Sequence, residues 1–470
     1  MKNIGFASGA VAVLASVAVL SGQGGRAYGP DRVWWDAGQG GNLPWEEDYD
    51  NATGQIAILN TTGLIHTRDH PFFEPLGVNG RACVTCHQPS NAMSVSTSSV
   101  QTRWTETQGK DPLFAAIDGS NCPDLPRGAR SSHSLLLDRG LFRIALPWPP
   151  KDAGGRAMEP EFRIEVLRDP TGCNTSPVYG LASGNPAISV YRRPRVAANL
   201  KHIIAGPGGI GLMADAREPS LRTQAISAAM IHEQAEAPPS AEQLRRIIDF
   251  ETQIYVAQSA DIRGGLLDER GSPGVLGPEN LSNAASGLPA PLSFDVWRKQ
   301  RQEEDLGVQR EFRASVARGS DLFFGHRFRL RGSALETCSS CHKAGSTRWM
   351  DIGTTNIAGA NVDATGTPGA QGTPELPLFR ITCLETAPPH PVLGRVIYTQ
   401  DPGRALISGK CADVGSIVVP QFRGLAARAP YFSNGSAKSL RDVVEFYDKR
   451  FGIRYTEPEK NDLVNFLSVL

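Results

Sequence analysis

Apolar residues recur at helical spacing in three stretches, two of them behind a capping signal. Across 240–258, Ser240 and Gln243 form a capping box, and Leu244, Ile247, Ile248 and Ile254 make one apolar side, so an amphipathic helix is predicted. Near the C terminus Thr456 and Glu459 repeat the box ahead of Leu463, Val464, Phe466, Leu467 and Leu470. Just before it, Leu440, Val443, Val444 and Tyr447 share one helical face. The stretches 94–181 and 353–414 show little helical periodicity and are predicted to be long insertions with a few short strands. Between the halves, 264–291 is rich in Gly, Pro, Ser and Asn and reads as a linker. The pattern predicts a mostly α protein of two domains, 28–263 and 292–470, joined by that linker.

The N terminus has a basic start at Lys2, an apolar run over 4–20 and then Gly25-Arg26-Ala27, which predicts a signal peptide over 1–27. No later run is long and apolar enough to suggest a span, so a protein free of the membrane after cleavage, periplasmic or secreted, is expected. Lys plus Arg number 48 and Asp plus Glu 48, and this balance gives no support to a nucleic-acid partner. Forty-nine Gly and 34 Pro among 470 residues point to long loops around compact cores.

Cysteine placement changes the picture most. Cys83-Val84-Thr85-Cys86-His87 and Cys338-Ser339-Ser340-Cys341-His342 have the same spacing. In Cys-x-x-Cys-His two thiols can add to the two vinyl groups of one heme while the next imidazole binds its iron, so each motif is a heme c attachment site. Zinc would need a second ligand pair nearby, and a redox dithiol does not need the trailing His. A heme motif followed downstream by a closing helix, twice, suggests two cytochrome-c-like units. The other four cysteines allow three pairings; short loops favour Cys122 with Cys173 and Cys383 with Cys411.

The stretch 419–436, with Leu440 and then Val443, Val444, Glu445, Phe446 and Tyr447, resembles the C-terminal signature of bacterial di-heme cytochrome c peroxidases and MauG-type enzymes. Residues 72–89 are similar too, as are Arg192-Arg193-Pro194 through Asn199 and then Asp215, Arg217, Leu221 and Gln224. The resemblance implies that His87 is the proximal ligand of a peroxidatic heme and His342 that of an electron-relaying heme. The displaceable His that typical peroxidases carry after the first motif is missing, since no His lies between His87 and His133. That implies a first heme already open to peroxide, with His66 and His70 as alternative ligands. Tyr447 takes the position of the second heme's distal ligand, with Met350 as the fallback.

Gln224 matches a distal glutamine, and the acid/base group falls among His232, Glu233 and Glu236, strict counting landing on Gln234. Ala214 stands where the family places a Trp between the hemes, which puts the usual electron bridge in doubt. Arg423 matches an Arg near a heme propionate. The backbone carbonyls of Arg428 and Pro430 map to a calcium ion held between the family's domains. The function implied is a di-heme peroxidase that reduces hydrogen peroxide with electrons from an external donor, such as a small cytochrome or cupredoxin. The alternatives are a MauG-like or oxygenase-like oxidation of a protein or organic substrate, and a non-catalytic di-heme electron carrier.

Overall fold

The structure, a computed structural model, describes residues 33–470 apart from 153, 205–210, 286–292, 300–306, 331–333, 343–348, 351–372 and 392. The leader predicted over 1–27 lies outside the described residues, as do the side chains of Cys341 and Met350.

The mostly α, cytochrome-like expectation is overturned, for 34% of the chain is helical and 20% is strand, spread over several sheets. The helix predicted over 240–258 shows why. Ser240 caps Ala241–Gln253 and the Gln243 box is formed, but at Ile254 the backbone turns extended and Ile254–Asp261 is a strand. Ile254, Tyr255 and Val256 are β-branched or aromatic, and these fit a buried pleated surface better than another helical turn. The strand pairs antiparallel with Gly54–Asn60, which pairs with Glu46–Asn51, and Gly265–Leu266 completes the sheet. The linker stretch is therefore structured where described: it supplies that last strand and the helix Pro278–Asn283, and it buries Leu267, Leu276 and Leu281.

The two insertions meet in a second sheet. Phe162–Arg168 pairs antiparallel with Leu378–Cys383, which pairs with Val396–Thr399. Phe162, Leu146, Ile188 and Val190 from the first half pack with Phe379, Ile381 and Ile397 from the second in one core. The disulfides Cys122–Cys173 and Cys383–Cys411 brace this region, in the pairing expected. The halves are thus not self-contained units, because a shared sheet and a shared core join them.

Two further cores carry the heme motifs. The first packs Phe72, Phe73 and Val84 against Leu244, Ile247 and Phe250 of the helix Ala241–Gln253. The second packs Phe312, Val316 and Phe323 of Gly307–Gly325 against Leu463, Phe466 and Leu467 of Glu457–Ser468. Thr456 caps that last helix and Glu459 completes its box.

Candidate functional site

Cys83–Cys86 is a single helical turn, with His87 at its C-terminal cap donating its N–H to the carbonyls of Cys83 and Val84. The buried Gln88 amide pins the turn, giving a hydrogen bond to the Val84 carbonyl at 2.7 Å and accepting one from Trp35 N at 2.8 Å. Cys83 and Cys86, three apart, fall on one side of the turn. The His87 Nδ1 is 3.0 Å from the Met93 carbonyl, which can only accept, so the proton sits on Nδ1 and Nε2 keeps its lone pair. Burial lowers the His87 pKa, against the pull of the Met93 and Arg195 carbonyls, and the ring is neutral at pH 7.

Cys83, Cys86 and His87 border a cavity of about 1240 Å³, counting its mouth. The helix Leu221–His232 lines another wall with Leu221, Gln224, Ala225, Ala228 and His232, a set spaced three or four apart. Its alanines leave space that larger side chains would fill.

Glu233 ends this helix and is 3% exposed. It accepts a hydrogen bond from Leu76 N at 3.0 Å and lies 3.4 Å from the Cys83 sulfur. Burial pushes its carboxyl up to about 7. His232 binds Asp118 at 2.6 Å through Nδ1, and Asp118 is ion-paired to the fully buried Arg81. Burial alone would raise the Asp118 pKa, but Arg81 and His232 outweigh it and keep the carboxylate charged. Of the three acid/base candidates, the structure brings His232 and Glu233 to the cavity; Glu236 is exposed and, like Gln234, lies off its wall. His66 is exposed and bound to Asn42, while the buried His70 accepts from Phe72 N at 3.2 Å; neither borders the cavity.

Sequence reasoning missed Arg81, Asp118 and Glu251, and gave no chemical role to Arg217. Glu251 borders the same cavity, has Oε2 buried without a hydrogen-bond partner among the described residues, and is pushed up to about 8 by burial. Arg217 is held by Asp215 at 2.8 Å, and Asp215 also binds Arg192 at 2.5 Å. The signal for Glu251 was available: a Glu four residues after Ile247, on the inward side of an amphipathic helix.

The second turn, Cys338–Cys341, is closed by Thr337 and Ser340 hydrogen-bonding reciprocally, and His342 N donates to the Cys338 carbonyl. Burial lowers His342 to about 4, so it too is neutral. Its Nδ1 is buried with no hydrogen-bond partner among the described residues. The ring lies 4.2 Å from that of Phe422 and meets Tyr447 nearly at a right angle, centroids 6.4 Å apart. Cys338, His342 and Tyr447 border a second cavity of about 2490 Å³. Tyr455, also unforeseen, borders it with its hydroxyl 3.8 Å from the Cys338 sulfur.

One wall serves both cavities. Arg193 to Val196, Leu200 and Leu212 to Ala214 border each of them. Ala214 is therefore between the two motifs, its carbonyl accepting from Val418 N at 2.8 Å. Arg193, Arg195 and Arg428 bring their guanidiniums to this region, where they donate to backbone carbonyls. Arg428 and Pro430 border the second cavity; Arg423 is buried, donates to the Val275 carbonyl at 3.0 Å and borders neither.

The residues fit a covalently held heme better than the other uses of Cys-x-x-Cys. Burial pushes the Cys86 thiol up to about 12, opposite to the low pKa of a reactive redox dithiol. No cluster of three or more His, Cys, Asp or Glu that could hold a metal ion occurs among the described residues. The cavities are mostly apolar and each is bordered by a neutral imidazole, the protonation state in which a histidine nitrogen can bind iron. The arginines of the shared wall offer positive charge to anionic groups such as carboxylates.

No family model matches the sequence, and no curated protein matches it either. Among the solved structures that match is the crystal structure of a MauG-like protein associated with microbial copper homeostasis. That chain is 15% identical to this one, with 60% of this chain and 76% of that chain covered and a TM-score of 0.31. At that distance the likeness assigns neither family nor chemistry.

Proposed function

We propose that the protein is an extracytoplasmic di-heme c-type oxidoreductase that reduces hydrogen peroxide at the first motif with electrons relayed through the second. The observation that carries this reading is the pair of Cys-x-x-Cys-His turns, each opening on its own large cavity with a wall in common. His87 and His342 would be proximal iron ligands, with Cys83, Cys86, Cys338 and Cys341 holding the two hemes covalently. The bound hemes supply one-electron chemistry, two electrons and two protons turning one peroxide into two waters.

The chain supplies the proton handling. With a pKa near 7, Glu233 holds both protonation states at neutral pH and can take a proton from one peroxide oxygen and return it to the other. Arg217, fixed by Asp215, and the Gln224 amide are donors suited to a departing hydroxide. His232, oriented by Asp118, offers a second proton path. The cavity wall holds neither His66 nor His70, which supports a first site open to small ligands without prior reduction. Electrons would come from an external donor of the small cytochrome or cupredoxin class.

Intact mass after expression with cytochrome c maturation checks the foundation: two covalent hemes are expected, and a product with one or none rejects the assignment. Cyanide and peroxide titrations of the oxidised protein then test the site. Binding before any reduction is expected, whereas two low-spin hemes inert to peroxide would make the protein an electron carrier.

A further inference from the structure

Three backbone carbonyls from distant parts of the chain converge on one side chain. Arg193 Nη2 donates to the carbonyls of Val95 at 2.5 Å and Arg428 at 2.8 Å, and Nη1 to that of Arg139 at 3.3 Å. The first and third carbonyls belong to the N-terminal half, and Arg428 to the C-terminal half. Arg139 ends the helix Ser134–Arg139, where the helix dipole adds negative potential. Gly140, which caps that helix with φ +65°, leaves the room: a Cβ there would stand 2.1 Å from Arg193 Nη1. Backbone hydrogen bonds bracket the cage, from Arg193 N to the Ser433 carbonyl at 3.0 Å and from Thr97 N to the Ala429 carbonyl at 3.2 Å.

This is a carbonyl cage occupied by a cation that the chain itself provides. The Arg428 carbonyl is one of the two that the family resemblance assigns to calcium, yet a guanidinium already binds it. Arg195 and Arg428 add further positive charge nearby, and no carboxylate among the described residues pairs with any of the three arginines. A divalent cation favours carboxylate and carbonyl oxygens and would meet net repulsion here. Burial, then the Arg428 charge, lowers the Arg193 pKa only to about 9, which leaves it a cation at neutral pH.

We propose that the Arg193 guanidinium is the structural cation of the junction between the halves, holding carbonyls of both so that the protein needs no calcium there. The test of this arrangement is read by metal content and melting rather than by turnover. The full-length protein, dialysed against EGTA, should hold no stoichiometric calcium by elemental analysis and melt at an unchanged temperature. About one calcium per chain surviving dialysis, or a melting temperature that falls on chelation and recovers with added calcium, would overturn the proposal. Arg193→Ala should melt several degrees lower, and millimolar methylguanidinium should restore part of the loss by refilling the cage. A variant that melts like the parent also overturns it; if Arg193→Ala fails to fold, the chelation result on the parent protein decides. A product lacking heme would sink the functional reading and leave these measurements intact.

Discussion

Two buried carboxyls in one cavity set the residue-scale behaviour. Glu251 is held near pKa 8 in the folded protein against an ordinary 4.5, so the folded state keeps a proton that the unfolded chain releases. Stability from this group is present at low pH and is lost as pH rises from about 4.5 through 8, by at most a few kcal/mol at about 1.4 kcal/mol per pK unit. Glu251→Gln removes the charge and nearly keeps the shape. The variant should therefore match the parent near pH 5 and melt higher near pH 8.5; parallel pH profiles would refute a titrating Glu251. For the second site, Tyr447 and Tyr455 offer two phenols to one cavity. If Tyr447 is the distal ligand of a heme on the second motif, as the resemblance implies, Tyr447→Phe should change the low-spin EPR signal and raise that heme's potential, because an anionic oxygen ligand favours oxidised iron. Tyr455→Phe should leave both unchanged, since that hydroxyl faces the Cys338 sulfur. The opposite pattern would move the ligand role to Tyr455.

At the scale of elements, close helix packing limits what the second motif can tolerate. Gly319 lies in the middle of Gly307–Gly325, where a Cβ would come within 2.0 Å of the Asp462 carbonyl on Glu457–Ser468. Ser315 and Arg318 already bind the Asp462 side chain at 2.5 and 2.8 Å, so the helices cannot easily part. Ala gains about 1 kcal/mol over Gly in helix propensity, while overpacking costs roughly 1–3 kcal/mol. The second term wins, and Gly319→Ala should lower the midpoint of denaturant unfolding; a raised midpoint would show that the helices separate freely. Elements with local signals were legible in the sequence: both capping boxes formed, and the short-loop disulfides paired as expected. What stayed hidden was non-local. Phe162, Ile164 and Val166 alternate with Arg163 and Glu165, a strand pattern, but the partner lies more than two hundred residues away in the other insertion. Asp118 likewise carries no motif, and only folding places it against Arg81 and His232.

For the whole molecule, the decisive feature is the wall shared by the two cavities, and Ala214 sits in it. The buried ion-pair network behind it, Arg192 to Asp215 and Asp401, ties first-half and second-half segments together, with Arg192 bonded to Asp401 at 2.6 and 2.8 Å. On the proposed di-heme reading, with these contacts holding the two sites at a set separation, the medium between them governs how fast an electron crosses. A methyl group at that point offers no low-lying orbitals, whereas an indole ring does. Ala214→Trp should therefore speed electron exchange between the hemes several-fold, read by flash-induced redistribution in the half-reduced protein. Ala214 is buried, so the added ring should cost roughly 1–3 kcal/mol in overpacking. Unchanged exchange in a variant with both heme spectra intact would show that the electron already takes another route through the wall, and that Ala214 does not limit the coupling.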